Sequence, residues 1–135
     1  MRAVLDEMRG FAGKLDSADT SLAGIKDGLT RGIDSLAAAT DYVLTNYQSD
    51  PRKVTFGSVP FLRLCGIVTG GWQLARGAKI SMNRLTEGKG DPVFYKTKIG
   101  TARFFTEHVL AAAPGLAHTV IHGGDIDGLM SDDQV

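Results

Sequence analysis

Phe61, Leu64, Val68, Gly71, Ala75, Ala78, Met82 and Leu85 recur at strict 3-4-3-4 spacing. Only a helix keeps such residues on one face, because strand side chains alternate every two residues. Phe61 to Leu85 is therefore predicted to be one long helix with a continuous apolar stripe. The stripe narrows to small side chains around Gly70, Gly71, Ala75 and Ala78. Each mid-helix glycine costs about 1 kcal/mol relative to alanine, so the narrowing is expected where a neighbouring helix comes close. This is the pattern of a central helix in a bundle.

The rest of the chain supplies helices to pack around it. Val4, Met8, Phe11 and Leu15 predict a short amphipathic helix over Met1 to about Leu15. Ser17, Asp19, Thr20 and Ser21 offer N-cap side chains before a second periodic run of Leu22, Ile25, Leu29, Ile33, Leu36, Thr40, Val43 and Tyr47. That helix is expected to stop near Ser49, because Pro51 disfavours helical backbone at Asp50. Lys53 to Pro60 reads as the turn into the central helix, and Glu87-Gly88-Lys89-Gly90 as its C-cap. Asp91 then caps a third long helix with Pro92 at its first position. Its inward side is read as Tyr95, Ile99, Ala102, Phe105, Val109 and Ala112, widened by Phe94 and Phe104. Pro114-Gly115 is expected to interrupt it before a short helix, Leu116 to His122, and residues 125–135 read as an extended tail. The predicted class is all-α: an up-and-down bundle of three long helices with a short helix at each end, forming one domain over residues 1–135.

Composition narrows the partners. A chain of 135 residues with 43% hydrophobic residues fills one core. Fifteen basic and fifteen acidic residues give zero formal net charge, so no broad cationic surface favours nucleic acid or anionic lipid. The single cysteine, Cys65, excludes an intrachain disulfide framework and suits a reducing, cytoplasmic setting. Met1 to Leu15 carries acids and lacks the unbroken apolar core of a secretory leader, so export is not expected. The near-apolar run from Leu64 to Leu74 is interrupted by Thr69 and Gln73 and falls far short of the roughly 20 residues that span a bilayer.

The chemistry-bearing residues support no self-contained active site. Gly71 to Lys79 has the wrong spacing for a phosphate-binding loop, Gly88-Lys89-Gly90 joins two helices, and Gly123-Gly124 precedes acids. Helix ends and close packing are the expected roles of these glycines, and Gly66 to Gly70 is likewise read as an intradomain contact. His118 and His122 share a helix face near Asp125, the minimum for a metal pair, yet Thr119 stands where a zinc protease carries glutamate. Surface histidines at a helix end are the plainer reading. Glu107 and His108 point about 100° apart and read as a helical pair rather than an acid/base couple. Cys65 is read as packed rather than nucleophilic. Arg63, Arg76, Lys79 and Arg84 are read as a solvated or inter-subunit face, with contact to a ligand phosphate as the alternative. Trp72 suits the core and an interface equally. No catalytic, cofactor-binding or metal-binding residue is assigned.

Three motifs in order carry a resemblance over nearly the whole chain. They are Pro60-Phe61-Leu62-Arg63-Leu64-Cys65-Gly66, then Gly70-Gly71-Trp72-Gln73-Leu74-Ala75-Arg76-Gly77-Ala78, then Asp91-Pro92 followed by Lys98-Ile99-Gly100-Thr101-Ala102-Arg103-Phe104-Phe105. Together they resemble the helical C-terminal domain of bacterial acyl-CoA dehydrogenases of the 3-methylmercaptopropionyl-CoA dehydrogenase group. The resemblance implies a parent enzyme in which a glutamate removes the α proton of an acyl-CoA thioester while the β hydride passes to FAD. It also implies that base and flavin lie in preceding catalytic domains, so that this chain alone carries neither FAD nor a catalytic residue. Glu87 and Glu107 match no catalytic motif. The implied role is structural: packing on the catalytic body or on another subunit, with self-association through apolar surface. A free-standing bundle that binds an acyl chain or a partner helix is the alternative. A metal-dependent enzyme would rest on His118 and His122 alone.

Overall fold

The computed structural model describes residues 1–129, and its regular structure is helical throughout. In order come α1 (Arg2–Gly13), α2 (Thr20–Asn46), α3 (Pro51–Phe56), α4 (Ser58–Glu87), α5 (Pro92–His108) and α6 (Ala113–His122). Short 3-10 turns follow α5 at Leu110–Ala112 and α6 at Gly123–Ile126. No strand occurs among the described residues. The helices of 27, 30 and 17 residues are α2, α4 and α5.

Local chemistry sets the boundaries. Asp19 Oδ1 accepts the backbone N–H groups of Ser21 and Leu22 at 2.9 and 3.0 Å, satisfying donors that have no partner within α2. Asp91 Oδ1 does the same for Val93 at 3.0 Å, with Pro92 in the first turn of α5. Between α4 and α5 the chain reverses through Gly88 (φ 69°) and Gly90 (φ 74°), both in the left-handed region that suits glycine.

The helices α4, α5, α2 and α6 pack on one another, and α1 lies against α2. From α2 the core receives Leu22, Ile25, Leu29, Ile33, Leu36 and Ala39; from α4 it receives Leu64, Val68, Trp72, Ala75 and Ala78. Phe61, Met82 and Leu85 complete the α4 stripe as half-buried neighbours of that cluster. The glycine-notched part of the stripe is where α4 meets the end of α5. A Cβ on Gly71 would lie 2.9 Å from Leu110 Cδ2, and one on Gly70 would lie 3.4 Å from the Phe105 ring. From the opposite side, a Cβ on Gly32 would lie 2.8 Å from Leu110 Cδ1. Leu110 thus projects from the 3-10 turn between glycines of α2 and α4.

Several expectations are corrected. In α1 the buried residues are Leu5, Met8, Ala12 and Leu15, while Val4 is exposed: a helix this short presents either neighbour, and Leu5 lies on the side facing α2. Tyr47 is exposed because α2 has ended at Asn46. The segment read as a turn holds a six-residue helix, α3, and α4 begins at Ser58 with Pro60 in its first turn. Proline is tolerated there because the N–H it lacks would have no intrahelical acceptor. On α5 the buried residues are Ile99, Ala102 and Thr106, Phe105 packs half-buried against the core as expected, and Phe94 and Phe104 face outward. The break after α5 falls at Val109 to Ala112, so Ala112 is exposed while Leu110 and Ala113 are buried. Pro114 and Gly115 open α6 rather than interrupt a helix. A Cβ on Gly66 would touch nothing within 4 Å, so of the expected Gly66 to Gly70 contact only the Gly70 end is a close approach. Of the expected tail 125–135, Asp125 and Ile126 belong to the second 3-10 turn, and residues 130–135 lie outside the described residues.

Candidate functional site

Two apolar surfaces stand out among the described residues. The first is a groove at the corner formed by the end of α2, α3 and the start of α4. Gly57 makes the corner tight: a Cβ there would sit 3.1 Å from the Val120 backbone of α6. The tight corner brings α3 beside α4 and leaves a half-open groove of about 390 Å3. It is lined by Val43, Val54, Phe61 and Leu62, with Thr55, Ser58 and Cys65 at its sides. Leu44, Tyr47, Phe56 and Val59, its neighbours along the chain, are all exposed. No lining residue is cationic, so the pyrophosphate of a dinucleotide would meet no counter-charge. Elsewhere Arg9 is paired with Asp34 at 3.7 Å and Arg2 with Asp41 at 4.0 Å. The lining of this groove does not fit FAD, and no chemical step is assigned to it.

The second surface is the outer side of α5. Val93 is 71% exposed, Phe104 62% and Phe94 53%. Phe104 stacks on His108 with ring centroids 4.2 Å apart, and Phe94 meets Tyr95 edge-on at 5.4 Å.

The residues weighed for chemistry are mostly engaged in packing or local pairing. The rings of His118 and His122 lie 4.8 Å apart, and His122 Nδ1 is 3.4 Å from Asp125 Oδ2. Among the described residues, no group of three or more His, Cys, Asp or Glu side chains is arranged to hold a metal ion. Glu107 Oε1 accepts from Arg103 Nε at 2.7 Å, and the Arg103 guanidinium also donates to the Thr20 carbonyl at 3.0 Å, tying α5 to the start of α2. Burial pushes the Cys65 thiol above its ordinary pKa, partly offset by a backbone hydrogen bond. A raised pKa depletes the thiolate near neutral pH, which is opposite to what a nucleophile needs. Of the basic residues on α4, Arg76 covers the Trp72 ring at 5.5 Å and Lys79 the Phe11 ring at 5.7 Å, whereas Arg63 and Arg84 are exposed. Trp72 belongs to the core at 8% exposure, with no hydrogen-bond partner for its Nε1. No helix among the described residues is long and apolar enough to cross a membrane.

Residues 4–126 match the family described as acetyl-CoA dehydrogenase C-terminal like. The chain belongs to this family. Its similarity to a 3-methylmercaptopropionyl-CoA dehydrogenase of Ruegeria pomeroyi is 33% identity over 113 residues, which covers 84% of this chain and 19% of that relative. The chain therefore spans about a fifth of the length of the curated relative it matches. For this acyl-CoA dehydrogenase C-terminal-like chain, sequence reasoning assigned no site residues and expected apolar contact surface without placing it on either face. The available signals were Val59 and Leu62, which fall off the α4 stripe, and Val93 and Phe104, which face away from Ile99 and Ala102 on α5.

Proposed function

We propose that this chain is the C-terminal structural domain of an FAD-dependent acyl-CoA dehydrogenase, packing on the catalytic body of that enzyme or on another subunit. The observation that carries the reading is the family match over residues 4–126 in a chain that corresponds to only 19% of its relative. On this reading α,β-dehydrogenation of the thioester and the binding of FAD belong to the rest of the enzyme. This domain contributes a rigid up-and-down stack of helices and apolar surface for assembly, including homo-oligomer formation, in the cytoplasm. Two exposed apolar surfaces support the role, since large apolar patches on a soluble domain mark places of contact.

The mass of the polypeptide that carries this sequence in its source cells tests the reading. A mass several times the 14.4 kDa of the chain is expected. A native mass near 14.4 kDa would contradict it and favour a second reading, a free-standing bundle whose apolar groove of about 390 Å3 takes up an acyl chain.

A further inference from the structure

The inward side of α5 is filled by Ile99, Ala102 and Thr106. Opposite them, Val93, Thr97, Gly100 and Phe104 follow one another at 4-3-4 spacing and form a single outer face. A helix face that remains in water carries charge along its centre. This one places a large apolar residue at each end and small residues between, and a Cβ on Gly100 would touch nothing within 4 Å. Another element can therefore approach the α5 backbone closely at its middle. The aromatic side chains are already held in place: Phe104 by the His108 ring and Phe94 by Tyr95 and by Lys98, whose Nζ lies 5.3 Å from the ring centroid. Side chains ordered before contact lose less freedom on docking.

Charge decides what covers the face. Lys96 is exposed on the flank of this face and Lys98 is exposed beyond Phe94, whose ring it covers, and neither is paired with an acid among the described residues. No acid occurs from Pro92 to Thr106, and Glu107 is taken up by Arg103 at 2.7 Å. In a two-fold contact with a second copy the same patch meets itself, so lysines would approach lysines across the seam. Like charges placed opposite each other oppose such a contact. The complementary occupant has an apolar centre and a rim of carboxylates.

We infer that the outer face of α5 is the surface by which this domain docks, and that its occupant is an acid-rimmed apolar patch on the catalytic region of the same enzyme. The inference rests on the proposed role as an enzyme domain and adds which face is covered and by what chemistry. Rim charges of this kind orient the contact and weaken in salt, because the screening length is about 8 Å at physiological ionic strength.

Acylation of lysines by an N-hydroxysuccinimide ester, read by mass spectrometry, tests the inference on the native enzyme and on the 135-residue chain side by side. Lys96 and Lys98 are expected to react at least about tenfold more slowly in the native enzyme, as water-excluded interface residues do. Equal reactivity of Lys96 and Lys98 in the two samples, with protection at Lys53 beside the groove instead, would overturn the choice of face and leave the packing role standing. Protection that grows with the concentration of the 135-residue chain alone would show a second copy as the occupant and overturn the charge argument. A native mass near 14.4 kDa would remove the packing role itself. As a check on folding, Phe104→Ser is expected to leave the melting of the 135-residue chain unchanged while abolishing the protection of Lys96 in the native enzyme. Retained protection would contradict the inference.

Discussion

Leu110→Ala is expected to lower the stability of the chain by about 4 kcal/mol, near the upper end for a buried leucine truncated to alanine. Leu110 is 2% exposed and touches positions on two helices, Gly32 of α2 and Gly71 of α4. The cost of such a truncation depends on how far the walls collapse into the space. Here two walls are helix backbone at glycines, which have no side chain to swing inward, so the cavity persists. Chemical denaturation would show the loss as a lower midpoint at unchanged slope. A loss under about 1 kcal/mol would mean that the 3-10 turn repacks and that Leu110 does not hold α2 and α4 together.

Gly28→Val is expected to cost about 3 kcal/mol, the top of the usual range for overpacking. Any Cβ at Gly28 overlaps the Thr106 methyl across the α2–α5 contact. Thr106 cannot turn away freely, since it is 5% exposed and its hydroxyl donates to the Ala102 carbonyl at 2.8 Å. The contrast is Gly66→Ala. Nothing lies within 4 Å of a Cβ there, so the ordinary gain of about 0.5–1 kcal/mol for alanine in a helix applies. Paired denaturation curves should therefore move in opposite directions. A neutral Gly28→Val would show that α2 and α5 do not approach as closely as described.

These glycines also mark how much of the fold was legible. The α4 stripe and its small-residue notch were readable because a helix with several buried turns repeats its pattern often enough to fix its phase. Asp91, Pro92 and Gly88 were readable because caps act through local backbone chemistry, independent of what packs around them. The direction of the notch was not readable. It receives Leu110, which stands on an irregular turn that no periodicity announces. On α5 the inward phase was blurred because aromatic residues occur on both sides, and Phe94 and Phe104 were assigned inward on their hydrophobicity alone. Hydrophobicity says that a side chain gains by leaving water; it does not say whether this chain or a partner covers it. The same limit hid the position of both candidate surfaces.

Flavin content tests the central claim most directly, measured by absorbance in the 135-residue chain and in the native polypeptide that carries it, before and after an acyl-CoA thioester is added. The account predicts bound FAD that is bleached by the thioester in the native polypeptide, and no flavin in the 135-residue chain. FAD retained and reduced by the 135-residue chain alone, or a native polypeptide without flavin, would contradict it.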